Sequence, residues 1–378
     1  MRTSNTKKNR QKMVALLAAM LLFFVLGIIA GKIVNKSREE TKLDVDVIEN
    51  ELNTGETQPD EQTETIIEEP DTEKKIAVRT IEGKKKVIYE PEGPGYRYSP
   101  SIMRNEDGSV DIWIVSPGNN STQWDYIRYL HSNDRIDWSE EEIVLRPTKN
   151  SKDQCSVCDP GVIYFNDYYY LGYTSTSDYD RNGYDNSVFV ARSKNPDGPF
   201  EKWNGNGWGG DPEPIIEYDG DPDGWGVGEV SFVIKDKVLY IYYTYNNNKV
   251  FALHTARADL TENWPETIRD KQIAIEEKGF DAAEIVYVED IDMFMLFGIT
   301  DSFTSGSRLE AMQSEDGLNF TDIDIIDCYI DEYSLGMGVE KDKNGHVRTG
   351  EELFIGYGFG YVWSQWTGRL RNIIITQE

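Results

Sequence analysis

Residues 159–175 read DPGVIYFNDYYYLGYTS. An apolar run, a short polar turn and a second, more aromatic run follow one another, which is typical of a β-hairpin. The pattern recurs in SPSIMRNEDGSVDIWIVS from Ser99, GEVSFVIKDKVLYIYYT from Gly228, EIVYVEDIDMFMLFGIT from Glu284, and SLGMGVEKD with EELFIGYG from Ser334. These hairpins begin about 50 to 70 residues apart, which indicates a repeat architecture.

Two further strands are predicted after each of the earlier hairpins, as in SVFVARSKNPDGPFEKW. Five four-stranded units predict an all-β fold, a five-bladed β-propeller over residues 78–378. The segment KKIAVRTIEGKKKVIYE is expected to complete the last blade. A β-sandwich is the rival interpretation, but it would not impose the turn of the form S-x-D-G-x-x-F/W that recurs at 132–138, 193–200 and 314–320.

The charge of the chain excludes one class of partner. The 378 residues carry 39 Lys and Arg against 67 Asp and Glu, a net charge of -28. Neutralising phosphates requires clustered basic side chains, so no nucleic-acid partner is expected. Three His and three Cys are too few for a zinc cluster or a disulfide scaffold. We predict no cofactor and no metal.

The N-terminal residues predict a membrane anchor. Residues 2–12 hold five basic side chains and no acid, and the nineteen residues of 13–31, MVALLAAMLLFFVLGIIAG, carry no charge. As a helix this run spans about 28 Å, close to the hydrocarbon thickness of a bilayer. We expect a cytoplasmic segment at 1–12, a transmembrane signal anchor at 13–34 and an extracellular remainder, at the cell membrane. Whether the anchor is cleaved stays open.

An acidic linker is predicted between anchor and propeller, over residues 35–77. Residues 36–75 contain 14 acids and 5 bases and no aromatic residue. Such a composition buries too little apolar area to offset its conformational entropy, so this linker is expected to be disordered.

The residues that open the innermost strands are the candidate site residues. In a propeller these positions lie at one height around the axis, so five side chains are expected to face one funnel: Ser99, Asp159, Glu229, Glu284 and Ser334. Three of the five are carboxylates. Glycosidic cleavage requires a protonated acid for the leaving oxygen and a second carboxylate that activates water or attacks carbon. Clustered carboxylates raise the pKa of one of them, which supplies the acid.

The five-unit pattern, with DP in the second blade and an isolated Glu opening the third, resembles glycoside hydrolase family 43 and, more distantly, the invertase-like hydrolases. The strongest pieces are CDPGVIYFNDYYYLGYTS, ARSKNPDGPFEKW and GEVSFVIKDKVLYIYYT. The resemblance covers about residues 78–378. It implies a five-bladed propeller that hydrolyses arabinose- or xylose-type glycans with inversion. It also implies that Glu229 is the general acid and that Asp159 orients this acid and raises its pKa.

The sequence departs from that family at the general base, which is an Asp opening blade one. Here the chain reads Tyr98-Ser99-Pro100, and a serine cannot act as a base at neutral pH without an activator. Three alternatives stay open: Asp159 is the base, Glu284 supplies the missing carboxylate, or the protein binds sugar without cleaving it. A protein-interaction propeller is a further alternative, disfavoured by the acidic funnel and aromatic rim.

Aromatic residues are expected on the open face, where flat rings stack on sugars. The candidates are Trp124, Tyr126, Tyr179, Tyr184, Trp208, Trp225, Trp363 and Trp366. Substrate binding is assigned to Ser99, Tyr98, Trp225, Ser334 and Trp124.

Two further expectations concern the thiols and the partners. Cys155 and Cys158 form either a small disulfide or two free thiols near the mouth of the pocket. Ser334 stands where some family members place the His of a central calcium or water site, which again predicts no metal. The expected partner is an oligosaccharide or polysaccharide, and the expected state is a monomer.

Overall fold

The computed structural model describes residues 75–91, 95–120, 122–177, 183–221, 223–248, 250–276, 280, 282–326 and 330–377. Within these ranges the chain is all-β, apart from 3₁₀ helices at Trp264–Thr267 and Glu289–Ile291. The predicted segment 1–12, the anchor 13–34 and the linker as far as residue 74 lie outside the described residues. In the described part of the chain, no helix has the length and apolar character to cross a membrane.

The strands form five antiparallel blades, and the first and last blades are joined in one ten-stranded sheet. Blade one is formed by β3 (Tyr98–Arg104), β4 (Val110–Asn120), β5 (Gln123–Ser132) and β6 (Glu142–Leu145). Blade two is formed by β7 (Cys158–Phe165), β8 (Tyr168–Ser175), β9 (Ser187–Ser193) and β10 (Glu201–Lys202). Blade three is formed by β11 (Gly226–Lys235), β12 (Val238–Asn246), β13 (Phe251–Asp259) and β14 (Arg269–Glu276). Blade four is formed by β15 (Ala283–Val288), β16 (Met293–Thr300), β17 (Arg308–Ser314) and β18 (Thr321–Asp322).

Blade five combines the two ends of the described chain. It is formed by β20 (Ser334–Lys341), β22 (Glu352–Val362), β23 (Gln365–Gln377) and β1 (Ile76–Tyr89). Three short strands pair in parallel at the blades' margins: β2 (Gly95–Tyr96) with β23, β19 (Asp324–Ile326) with β1, and β21 (His346–Val347) with β15.

The N-terminal strand completes the last blade, as predicted. β1 runs antiparallel to β23, with Val78 opposite Ile375. The linker predicted over 35–77 overlaps β1 at Ile76 and Ala77, and both residues are instead buried in this blade. An edge closed by the distant chain terminus protects the blade from unwanted pairing.

The five blades form a ring. The innermost strands contact one another in the order β3, β7, β11, β15, β20, and β20 returns to β3 through a short parallel pairing of Glu340 with Ile102. This cyclic order is that of a five-bladed propeller, and two stacked sheets would not produce it. Among the described residues the apolar core forms five clusters, one at each interface between neighbouring blades. Strands buried on both faces explain the nearly continuous apolar runs in the sequence.

Serines join successive innermost strands near the axis. Ser101 Oγ accepts a hydrogen bond from the backbone N–H of Val162 at 3.0 Å, which links blade one to blade two. Ser231 Oγ accepts one from the N–H of Ile285 at 3.0 Å, which links blade three to blade four. Each bond satisfies a buried backbone N–H of one blade with an acceptor from the preceding blade.

Glycines occupy two places where the innermost strands of neighbouring blades approach each other closely. A Cβ on Gly161 would overlap the carbonyl oxygen of Val230, at the interface of blades two and three. A Cβ on Gly338 would overlap the carbonyl oxygen of Pro100, where blade five meets blade one. Only glycine fits such an approach.

A buried ion pair joins blades four and five. Lys341 Nζ pairs with Glu284 Oε1, and the two side chains are 1% and 5% exposed. Ser231 Oγ donates a second hydrogen bond to the same carboxylate oxygen at 2.5 Å. Removing one partner of such a pair leaves the other charge buried without compensation.

Lys341→Met is therefore expected to lower the free energy of unfolding by about 3 to 5 kcal/mol. The double variant Glu284→Gln/Lys341→Met should recover part of this loss because it removes both charges. Urea unfolding followed by tryptophan fluorescence measures both effects.

Lys343→Met is the matched control. Lys343 Nζ pairs with Glu106 Oε1 at 2.6 Å on the surface, where ion pairs contribute little. Its unfolding midpoint should stay close to that of the wild type. Equal losses in the two Lys→Met variants would contradict a special role for the buried pair.

Candidate active site

A cavity of about 940 Å³ opens at the end of the ring where the innermost strands begin. Its lining includes Asp159 at the start of β7 and Glu229 near the start of β11, so the structure brings these two predicted residues together. A third carboxylate, Asp125 of β5, lines the same cavity. All three side chains are half-buried, and the described lining residues include no Lys or Arg.

The backbone at the strand openings is left-handed. φ is 48° at Asp159, 53° at Glu229 and 44° at Ser99. At each of them the pairing with the next strand shifts register, which marks a β-bulge. Non-glycine residues rarely adopt such φ values, and strained residues of this kind cluster at functional sites. A bulge re-aims its side chain, which explains how Asp159 and Glu229 face the cavity.

Blade five carries its bulge at Gly336, with φ of 47°, between Leu335 and Met337. A Cβ on Gly336 would overlap Ser99 Oγ. The prediction that Ser334 faces the funnel is wrong, because Ser334 is fully buried and its Oγ donates to the carbonyl of Asp331 at 2.5 Å. Ser99 occupies the bulge of blade one but is 5% exposed and lies outside the cavity lining.

The described pairing of β15 with β16 in blade four shows no bulge. Glu284 pairs with Phe297 in regular register, and its side chain enters the ion pair with Lys341 instead of the cavity. The expectation that Glu284 joins the site, and could supply the missing carboxylate, is therefore corrected: this residue stabilises the interface of blades four and five.

Glu229 is held by two threonines. Thr244 Oγ1 donates to Glu229 Oε2 at 2.7 Å, and Thr174 Oγ1 accepts the backbone N–H of Glu229 at 2.8 Å. Both threonines line the cavity. A carboxyl group fixed in this way has a defined direction toward a ligand, as a proton donor requires.

Asp125 is the site residue that sequence reasoning missed. Tyr96 Oη donates to its Oδ1 at 2.5 Å, and Ser156 Oγ donates to its Oδ2 at 2.7 Å. Burial raises the pKa of Asp125, and the two hydrogen bonds partly oppose this rise. The only signal in the sequence is an acid between two aromatic residues, in QWDY, directly before the run IRYLHS that is predicted as the third strand of blade one.

Indole rings form one wall of the cavity. Trp124 and Trp225 both line it, and a Cβ on Gly183 would lie 3.6 Å from each ring, so this glycine sits between them. Trp225 is 48% exposed, and Tyr184 contacts it edge-to-face at 5.0 Å. Exposed rings of this kind can stack on the apolar face of a sugar.

A second group of rings also lines the cavity, and it contains the predicted residues Tyr98, Trp363 and Trp366. Phe303 contacts Trp363 at 5.7 Å and Trp366 at 5.8 Å, both edge-to-face. Two other predicted aromatic residues do not line the cavity: Tyr126 is buried, and Trp208 packs on Tyr170. Tyr179 lies outside the described residues.

Solved glycoside hydrolases have a similar structure. Zg3597, a family 117 glycoside hydrolase of the marine bacterium Zobellia galactanivorans, superposes with a TM-score of 0.58 at 16% identity, over 80% of this chain and 90% of that one. A thermostable family-43 glycoside hydrolase gives 0.53 at 15%, over 77% and 92%. The α-L-arabinofuranosidase PaAbf62A of Podospora anserina, solved with cellotriose, gives 0.54 at 12%, over 80% and 97%.

The chain shares its fold with these glycoside hydrolases. The predicted resemblance to the five-bladed family-43 propellers is confirmed at the level of the fold. Comparison of the sequence with protein-family models and with curated proteins finds no match.

One cluster outside the cavity has the composition of a metal site. Glu289, Asp342 and His346 place their ligand atoms within 4.8 Å of one another. However, His346 Nε2 donates to the carbonyl of Ile234 at 2.5 Å, and Nδ1 lies 2.8 Å from Glu289 Oε1. With both ring nitrogens engaged, the cluster is accounted for by hydrogen bonding, and we assign no metal to it.

Cys155 and Cys158 are not joined by a disulfide, so that alternative is not realised. Both are buried, and Cys158 lines the cavity beside Asp159. Burial raises the pKa of the Cys158 thiol, and the negative charges of Asp159 and Asp125 raise it further.

Because a raised pKa lowers the thiolate fraction, Cys158 is expected to resist iodoacetamide at pH 8 in the folded protein. The same chain in urea, where the thiol regains its ordinary pKa, should be alkylated readily. Peptide mass spectrometry over a time course compares the two. Alkylation of Cys158 at the same rate in both states would contradict the assignment.

Proposed function

We propose that the protein is a glycoside hydrolase that cleaves a glycosidic bond in an arabinose- or xylose-type or related glycan. The observation that carries this proposal is the placement of Asp159 and Glu229 on matching left-handed bulges of neighbouring blades, in a cavity walled by indole rings. The fold shared with glycoside hydrolases supports it. So do relatives solved with sugars, PaAbf62A with cellotriose and a family 62 hydrolase with xylotriose.

Glu229 is the proposed general acid. Its proton passes to the glycosidic oxygen as the bond from that oxygen to the anomeric carbon breaks. Water attacks the anomeric carbon from the opposite face, and its proton passes to a second carboxylate. Asp159, next to Glu229 in the ring of bulges, is proposed to orient the acid and to raise its pKa by like-charge repulsion, or to act as the base itself.

The charge of the cavity favours a neutral glycan. Three carboxylates line it, the described lining carries no basic side chain, and the whole chain has a net charge of -28. A substrate bearing uronic acids would meet this negative field without a partner for its own charge. Neutral pentose or hexose chains stack on the rings without that cost.

Glycan binding without hydrolysis is the second candidate. It is favoured by Ser99, which takes the place of the family's general base and contributes no carboxylate. Under this alternative the wild type would bind oligosaccharides and leave every bond intact.

We also propose that the chain is a single-pass membrane protein, anchored through residues 13–34, with the propeller outside the cell. The nineteen uncharged residues of 13–31 and the five basic residues before them support this orientation. The acidic residues 35–77 would serve as a spacer that is repelled by an anionic membrane surface.

Protease added to intact cells that express the chain is expected to remove a C-terminal epitope tag, because the propeller would be exposed outside. A cytoplasmic protein of the same cells serves as the control and should survive until the cells are opened. Loss of the tag only after permeabilisation would contradict the orientation.

Glu229→Gln tests the acid assignment. We expect kcat/KM to fall by about 10² to 10⁴ on natural oligosaccharides, with glycan binding retained, because the amide cannot protonate the leaving oxygen. The loss should be much smaller on 2,4-dinitrophenyl glycosides, whose leaving group requires little protonation. The assay uses a panel of aryl glycosides and of neutral and uronic-acid-bearing oligosaccharides.

Glu315→Gln, on an exposed turn, is the matched control and should leave the rates unchanged. Hydrolysis by Glu229→Gln at wild-type rates on every substrate would exclude Glu229 as the acid. A wild type that binds the oligosaccharides and cleaves none of the panel would favour the second candidate.

A further inference from the structure

Blade one supplies a carboxylate to the cavity although Ser99 does not. The carboxylate belongs to Asp125, which lies on the third strand of the blade, β5, and not on the innermost strand. The cavity therefore holds one carboxylate from each of blades one, two and three: Asp125, Asp159 and Glu229. An inverting glycoside hydrolase with a general acid, an orienting residue and a general base requires three carboxyl groups, and the cavity holds three.

Backbone bonds fix Asp125 against the segment that leads to Asp159. The N–H of Trp124 donates to the carbonyl of Cys155 at 2.8 Å, and the N–H of Val157 donates to the carbonyl of Asp125 at 3.2 Å. The beginning of β5 and residues 155–157 thus run side by side. These two bonds tie the beginning of β5 in blade one to the segment that leads into β7 in blade two.

The carboxylate of Asp125 has capacity for one more ligand. Each of its oxygens accepts one hydrogen bond, from Tyr96 Oη and from Ser156 Oγ. An ionised carboxylate has about four lone-pair sites, so a water on the cavity side can still donate to it. The half-buried side chain reaches that cavity.

We infer that Asp125 is the general base that the bulge of blade one lacks, an inference that rests on the proposed function. Asp125 accepts a proton from a water as the oxygen of that water bonds to the anomeric carbon. The glycosidic bond breaks at the same carbon, and the leaving oxygen takes the proton of Glu229. Asp159 then keeps the orienting role, and Ser99 requires no activator.

The surroundings of Asp125 suit a base that works near neutral pH. Tyr96, Tyr98 and Cys158 lie close enough to Asp125 to interact with its charge. Asp159 interacts with Tyr98 and Cys158, and the Arg97 charge interacts with Tyr96. Burial raises the pKa of Asp125, which strengthens the base, while its two hydrogen bonds favour the ionised form that a base requires. Such a carboxylate loses activity as the pH falls and it becomes protonated.

Azide rescue distinguishes a base from a structural anchor. With the full-length chain and the aryl glycoside that the wild type cleaves fastest, Asp125→Ala should lower kcat by about 10² to 10⁴. Sodium azide should restore turnover, because the anion attacks the anomeric carbon without a base. The product should be a glycosyl azide of inverted anomeric configuration, identified by NMR. Asp159→Ala is the matched control and should gain nothing from azide.

Two milder variants test the same group through the pH profile. Tyr96→Phe and Ser156→Ala each remove one donor to the carboxylate, which raises the pKa of Asp125 further. Since the base must be ionised, the acidic limb of kcat/KM should move to higher pH in both variants. If circular dichroism shows that Asp125→Ala fails to fold, these pH profiles test whether Asp125 is the base.

The outcomes separate this inference from the proposed function. A wild type that cleaves no substrate overturns both. Full turnover by a folded Asp125→Ala, azide rescue of Asp159→Ala instead, or acidic limbs that stay in place in both milder variants would overturn the inference alone. Glu229 would then remain the proposed acid, with Asp159 as its base.

Discussion

The structure depends on how closely five innermost strands approach one axis. Four of these strands carry a bulge, and the residue two positions after each bulge contacts the neighbouring blade. These contact residues are Ser101, Gly161, Ser231 and Gly338. A side chain in place of Gly161 or Gly338 would push neighbouring blades apart. Because the spacing from bulge to contact is constant, the ring contact also sets the height of the bulges. The same approach of the strands therefore closes the ring and brings the site residues together at one end of it.

This condition explains which site residues the sequence could predict. Asp159 and Glu229 open strands whose apolar runs are regular, so counting from the run placed them correctly in the cavity. The same counting placed Ser334 at the funnel, two residues before the true bulge at Gly336. In blade four the strand reads like its neighbours, yet Glu284 continues in regular register. A bulge is a local irregularity of the backbone, and the periodicity of apolar side chains does not indicate where it occurs.

Asp125 was inaccessible to sequence reasoning for a different reason. Its place in the cavity depends on the loop before β7 lying against the beginning of β5, a contact between segments about thirty residues apart. The repeat pattern describes what each blade has in common, and this contact belongs to one pair of blades only. Features that break a repeat are invisible to an argument that rests on the repeat, although they are where a site acquires its chemistry.

The strain at the bulges separates functional side chains from structural ones. A non-glycine residue in the left-handed region costs about 1 to 3 kcal/mol, and the inter-blade cores must offset that cost. Blade five places Gly336 at its bulge, so it carries no side chain there. Blades two and three keep Asp159 and Glu229 in strained conformations, with side chains that reach the cavity. Ser99 is strained as well, but it fills the space beside Gly336. Its strain thus serves packing between blades one and five, and the chemistry of blade one falls to an unstrained residue, Asp125, on another strand.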